Sequence, residues 1–439
     1  MTVLPAPDDV DQALAAARSR YIEQRPLTRA MQATAATVLP GGNTRTVLYH
    51  PPFPLRVARA WDGCFADLDG HEYVDLLGNF SAGLFGHSHP TIVGAVTSAL
   101  QQGMSPGAHT VHEVAMAQAV CDRFPSIERV RFTNSGTEAN LMALSAARAH
   151  TGRDRVLVFS GAYHGGLLTF ASGASPVNAP YDVLIAPYND ADAVGRLLQD
   201  NAGTVACVLV EPMLGASGCI PGDPEFLRSL RSATERSGAL LVFDEVMTSR
   251  IGAGGLQGRL GIAPDLTTLG KYLGGGLSSG AFGGRADIMS LFDPAAPGAL
   301  PHAGTFNNNV ASMSAGHAGL TQVYTPEVAE SHSARGDALR HRLTSVFRDT
   351  GALFQVTGLG TLMNVHATTA AIRRPEDLLE TDGRLKELLF LDLLEAGYYV
   401  APRGYLALSL AVTDAQLDGF VDAVATAVTA RPVYAAPRD

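Results

Sequence analysis

The chain has 439 residues, too many for one simple core, so two lobes are expected, and at 46% apolar and 17% charged it has the composition of an ordinary folded globular protein. A formal net charge of -10, with no basic stripe anywhere, argues against a nucleic-acid or anionic-membrane partner. The four cysteines, Cys64, Cys121, Cys207 and Cys219, have neither CxxC nor zinc-ligand spacing, so reduced packing residues are expected and a bound metal is not.

In chain order, acidic Asp8, Asp9 and Asp11 lead into a helix-like stretch, Ala13–Arg18, without the basic start and apolar core of a signal peptide. No apolar run approaches the ~20 residues that a membrane helix needs, and a cytoplasmic protein is the expectation. Up to about Ala60 the chain reads as irregular and Pro-rich, with Tyr49–Pro54 as a connector. Short β-branched runs follow at Arg129–Thr133, Arg155–Phe159, Val205–Val210 and Ala239–Phe243, separated by Ala-rich helical stretches. This is the rhythm of strand–helix–strand units on a largely parallel sheet. Such a sheet holds ligands outside the carboxyl ends of its strands, so the residues after these runs should line one crevice. Beyond about Thr325 long helical patterns return, then a strand pattern around Tyr405–Leu410 and a closing helix from Asp414. The expected division is a small α+β domain built from both ends, 1–60 and 326–439, around a large α/β domain over 61–325.

Three positions carry candidate chemistry. Of the 32 basic residues only Lys271 and Lys386 are lysine. Arginine cannot lose its proton and condense with an aldehyde, whereas a partly buried lysine can, so Lys271, between an apolar run and a glycine triplet, is the candidate for covalent chemistry. Lys386 sits in a polar–apolar helical pattern and reads as a solvated face. The run Val130–Asn140 passes from strand through Ser135, Gly136 and Thr137 into an amphipathic helix. That helix start offers free N–H groups and hydroxyls to a phosphate, although Ser and Glu at this spacing also read as a plain capping box. Asp244 ends a buried strand, where it could hold a pyridinium proton, cap the next loop or bind Mg2+; no companion carboxylates are grouped for the metal.

Taken in order, Gly86–Pro90, Ser135–Thr137, Gly161–Gly165, Glu211–Pro212, Asp244–Val246, Gly270–Lys271 and His302–Asn307 resemble the class III pyridoxal-phosphate aminotransferases, from about Tyr73 onward. The resemblance implies a fold-type I transferase whose large domain has a mostly parallel, seven-stranded sheet, with pyridoxal 5'-phosphate as cofactor. It implies Lys271 as the Schiff-base lysine and proton shuttle, Asp244 on the ring nitrogen, and Tyr163 and Val246 on the two ring faces. Ser135, Gly136 and Thr137 would hold the phosphate, and Glu211 would belong to the cofactor site. Thr305 would reach the phosphate of a neighbouring subunit, implying a homodimer with sites at the interface.

Departures from common members bear on substrate. The loop Glu211–Ser217 lacks the acid that many ω-aminotransferases use to neutralise a movable arginine, and Met247 replaces their ring-contacting Gln. Both features look like glutamate-1-semialdehyde aminomutase. The segments Asn43–Arg45, Pro52–Leu55, Phe306–Asn309 and Ala401–Gly404 instead look closely similar to the bacterial aromatic β-amino acid (β-phenylalanine) aminotransferases. By that resemblance Arg45 takes the carboxylate of a β-amino acid donor and Arg403 the α-carboxylate of 2-oxoglutarate or pyruvate; Phe80 and Leu84, apolar residues just before Gly86–His87, are candidates to face the substrate side chain, and Met247 is a further substrate-site candidate. The rival expectations are intramolecular amino transfer of the aminomutase kind, decarboxylation, which His before the lysine would favour but which is Gly270 here, and a non-catalytic sensor.

Overall fold

The structure is a computed structural model that describes residues 7–171, 173 and 175–435; the outermost parts of the expected small domain, 1–6 and 436–439, and residues 172 and 174 lie outside the described residues. Seven strands form the central sheet: β1 (Arg129–Thr133), β2 (Arg155–Phe159), β3 (Val183–Ala186), β4 (Val205–Val210), β5 (Leu240–Asp244), β6 (Leu266–Gly270) and β7 (Gly280–Gly284). Their spatial order is β3-β2-β4-β5-β6-β7-β1. All neighbours run parallel except β7, which is antiparallel to both β6 and β1. The middle strands β4, β5 and β6 are buried along their whole length, which is why β4 and most of β5 read as continuous apolar runs instead of alternating ones, while β6 carries two buried threonines.

Three of these strands escape the sequence patterns. In β7, Gly280 and Gly284 are required by close approach: a Cβ on Gly280 would lie 2.2 Å from the Ser135 carbonyl oxygen, and one on Gly284 would lie 2.1 Å from that of Asp265. A glycine-rich strand therefore fits here although glycine weakens strands in general. The expected Ala239–Phe243 run is shifted by one, which makes Asp244 the last residue of β5 instead of the first after it. The irregular stretch expected before Ala60 contains two helices, Pro7–Gln24 and Pro26–Ala36, while Tyr49–Pro54 is indeed a connector. The strand expected over Tyr405–Leu410 is shortened to Tyr405–Ala407.

The helix Gly136–Thr151 packs under β7 and β6. It starts where the Ser135 Oγ accepts the Glu138 N–H at 3.2 Å, and it stops at Gly152, whose φ of 66° a side chain would resist. A second core joins distant parts of the chain. Val10, Leu14, Ala17 and Tyr21 pack with Leu385, Leu388 and Leu389 of the helix Gly383–Glu395 and with Phe420 and Val424 of the helix Asp414–Ala430. Each such apolar side chain contributes about 1.5–3 kcal/mol on full burial. Arg18 closes the rim with a two-pronged bond to Glu387 at 2.7 and 2.8 Å. Among the described residues no helix is long and apolar enough to cross a membrane.

Candidate active site

Strands β5 and β6 deliver an acid and an amine to the same crevice. Asp244 is buried, and its Oδ2 accepts from Asn140 Nδ2 at 2.8 Å and lies 2.8 Å from His164 Nδ1, while its Oδ1 accepts the Val246 N–H at 3.0 Å. Asn140 is itself fixed, accepting from Thr268 Oγ1 at 2.8 Å and donating to the His164 carbonyl at 3.1 Å. Three donors, from a helix and two loops, thus hold the carboxylate in place of solvent. Asn140 and His164 are the residues that the motif reading passed over, one as part of a helix, the other as a loop histidine. A polar side chain on the otherwise apolar buried face of Ala139, Ala143 and Ala147 was the signal for Asn140.

Lys271 directly follows β6 and has a left-handed backbone with φ 55°, a conformation that non-glycine residues rarely adopt and that clusters at functional sites. Its Nζ donates to the Phe80 carbonyl at 3.0 Å. Burial pulls this ammonium down to about 8, with Asp244 partly countering the shift. Glu211 accepts the N–H groups of Tyr163 and Gly215, both at 2.9 Å, and burial pushes its carboxyl up to about 7 against the pull of His164.

Gly136, Thr137, Tyr163, Glu211, Asp244, Val246, Met247 and Lys271 all line one cavity of about 160 Å³, together with Asn140, His164 and Gly165. Two glycines keep it open. A Cβ on Gly136 would come within 2.8 Å of Val246, and one on Gly165, at φ 113°, within 2.1 Å of the Thr137 hydroxyl. The first N–H groups of the helix Gly136–Thr151 have no intrahelical acceptor and open beside these residues. An anion cradle, an acid and an amine therefore border a single cavity, which fits a pyridoxal phosphate with its phosphate, ring nitrogen and aldehyde. Met247 fills the space above Gly215, where a Cβ would lie 2.1 Å from its sulfur.

The remaining expected residues fall outside that cavity. Ser135 spends its hydroxyl on capping the helix. Thr305 lies in a separate cleft of about 710 Å³, lined also by Met104, Asn134, Leu277 and Phe306, so the structure does not bring it to Lys271 within one chain. Arg45 and Arg403 are exposed, and their guanidinium carbons lie 5.8 and 5.3 Å from the centre of the same Phe80 ring. Neither has a carboxylate partner among the described residues; Arg45 Nη1 rests on Asn79 Oδ1 at 2.7 Å. Lys386 is not the wet helix-face residue expected: it lines an apolar pocket with Phe347, Val365 and Leu389, and burial lowers its pKa.

Comparison with known proteins agrees with this geometry. The family model described as aminotransferase class-III matches residues 48–428. A β-phenylalanine transaminase from Variovorax paradoxus is 51% identical over 94% of this chain and 95% of its own length. The crystal structure of a β-phenylalanine aminotransferase from the same organism superposes with a TM-score of 0.95 at 50% identity, covering 96% of this chain and 98% of that one. A glutamate-1-semialdehyde aminomutase from Pseudomonas aeruginosa reaches a TM-score of 0.89 at 23% identity, covering 96% and 98% of the two chains, a likeness of fold alone. Since the family match spans nearly all of the chain and the lysine–acid cavity sits at its centre, the chain belongs to the class III aminotransferases, pyridoxal-phosphate enzymes of fold type I.

Proposed function

We propose that this aminotransferase moves the amino group of an aromatic β-amino acid to 2-oxoglutarate or pyruvate. The observation that carries the reading is the pair of acid-free guanidiniums, Arg45 and Arg403, over the Phe80 ring whose own carbonyl takes the Lys271 amine. Two guanidiniums gathered over one ring beside one amine suit a donor and an acceptor whose carboxylates stand at different distances from the reacting carbon. The 51% identical relative named for β-phenylalanine supports the same choice.

When bound, pyridoxal phosphate supplies an aldehyde for amine exchange and a protonated ring that draws electrons from the reacting carbon. Asp244, clamped by Asn140, His164 and Val246, would hold the ring nitrogen's proton. Gly136 and Thr137 would bind the phosphate, with Ser135 shaping that turn, while Tyr163 and Val246 would flank the ring. Lys271 Nζ, which burial lowers to about 8 in the cofactor-free chain, would shuttle the proton between the donor's amine-bearing carbon and the cofactor's aldehyde carbon. Glu211 fixes the Tyr163 and Gly215 backbone from behind. Met247 and Phe80 border the substrate.

Further parts of the reading concern assembly. A homodimer with Thr305 completing the partner's phosphate site is supported by the exposed apolar side chains around the Thr305 cleft: Met104 is 72% exposed and Phe306 60%. The small domain is proposed as 1–60 and 326–439, two segments that share one apolar core, which Phe65, Tyr73 and Leu76 also enter. A cytoplasmic location fits four cysteines that remain free. Kinetics with α- and β-amino donors, each against 2-oxoglutarate and pyruvate, test the assignment; preference for α-amino donors refutes it. The absence of an acid in Met213–Ser217 favours an aminomutase as the second reading, and turnover without any keto acid would select it.

A further inference from the structure

Arg250 is among the largest fully buried side chains of the molecule, yet no carboxylate accompanies it among the described residues. The Tyr324 hydroxyl donates to the Arg250 backbone carbonyl at 2.6 Å, and the Tyr272 hydroxyl to that of Ser249 at 3.1 Å. Arg250 Nη1 donates to the Ser81 carbonyl at 3.1 Å, its Nη2 donates to the Leu408 carbonyl, and its Nε has no partner. A lone buried cation is costly, and apolar replacement of buried charge is often neutral or stabilising, so fold stability alone does not account for it.

The two carbonyls it joins explain more. Ser81 ends a turn in which Gly78, Asn79, Phe80 and Ser81 are all left-handed, with φ of 51°, 46°, 54° and 76°. Three of these are not glycine, and such residues avoid this region unless the surroundings hold them there. The start of the turn is pinned by Asp75 Oδ1, which accepts the Leu77 and Gly78 N–H groups, both at 2.9 Å. Its body rests on the strand that follows Arg403: a Cβ on Gly78 would lie 2.8 Å from the Ala407 carbonyl oxygen. Arg250 ties the end of the turn to Leu408, one residue beyond that strand. The middle of the turn faces the reaction: Asn79 holds Arg45, the Phe80 ring lies beneath Arg45 and Arg403, and the Phe80 carbonyl takes Lys271.

We infer that Arg250 is a positioning residue: by bracing the left-handed Gly78–Ser81 turn against the Tyr405–Ala407 strand, it sets the separation of Arg45 and Arg403 over Phe80 and so the fit of the substrate carboxylates. The carboxylate half of this inference rests on the function proposed above; the bracing half does not.

The test compares Arg250→Met, which removes the cation at similar size, and Arg250→Lys, which keeps the charge and can reach only one carbonyl. Hydrogen exchange is followed at the Phe80, Ala82 and Gly83 amides, which bond to Leu77, Asn79 and Gly78 within the turn. Exchange at these amides should quicken in Arg250→Met by about tenfold or more and less in Arg250→Lys, with core strands unchanged. KM for the β-amino donor and for the keto acid should both rise by about tenfold, while an aromatic amine without a carboxylate, which feels the turn only through Lys271, should lose several times less in kcat/KM. Unchanged exchange, or equal loss for carboxylated and carboxylate-free donors, overturns the inference. If Arg250→Met does not fold, the Lys variant carries the same comparisons. Should Arg45→Ala treat carboxylated and carboxylate-free donors alike, the substrate reading falls, and the exchange result still decides whether Arg250 braces the turn.

Discussion

Arg45→Ala and Arg403→Ala should separate the two halves of the reaction. Each arginine is exposed and lies over an aromatic ring, so the pair that it forms with a substrate carboxylate keeps water on one side. Such a pair is worth the range for hydrogen bonds to a charged group, about 1.5–3 kcal/mol, and less than a fully desolvated ion pair. A loss of about 2 kcal/mol is about 30-fold in kcat/KM. Arg45→Ala should impose that loss on the half-reaction with a β-amino acid and leave the half-reaction with 2-oxoglutarate within about threefold; Arg403→Ala should do the reverse. Single-turnover absorbance of the aldehyde and amine forms of the cofactor measures each half separately. Equal losses in both halves for both variants would refute the two-site reasoning while leaving aminotransfer itself intact.

Lys271→Ala should abolish turnover and the visible band of lysine-linked cofactor without unfolding the chain, and Lys386→Ala should leave turnover unchanged; residual full activity in the first variant would sink the role given to Lys271. Asp244→Asn should bind cofactor and slow turnover about a hundredfold, near 3 kcal/mol, because an amide cannot hold the ring proton; parental rates would contradict it. Lys271 also sets a pH dependence. Its folded pKa of about 8 lies below the ordinary 10.5, so the folded cofactor-free protein binds fewer protons than the unfolded chain between those values, and its stability should rise with pH across that window. Denaturation of the cofactor-free protein at several pH values checks this, and Lys271→Met should flatten the rise.

Much of the site could be read from sequence because its chemistry needs particular residue types. An aldehyde needs a lysine, and a chain with only two leaves little choice; a phosphate needs a helix start with small residues, which Ser135–Thr137 displays. Central strands were visible as apolar runs, whereas β7 was hidden because its glycines answer to neighbouring backbones rather than to strand propensity. Residues that act through another residue left almost no local trace. Asn140 meets Asp244 across 104 positions and Arg250 meets Ser81 across 169, so only folding reveals them. Lys386 was misjudged because a lysine stem can line an apolar pocket as well as a wet face.

The closure between Arg18 and Glu387 spans 369 residues, and this imposes a schedule on synthesis. At about 5–20 residues per second, the ribosome delivers the second partner roughly 20–70 s after the first. Throughout that interval the stripe of Val10, Leu14, Ala17 and Tyr21 has no partner helix, while β1 likewise waits for β7 before it can join the sheet. For most of its elongation the nascent chain therefore carries this apolar stripe without the helix that later covers it.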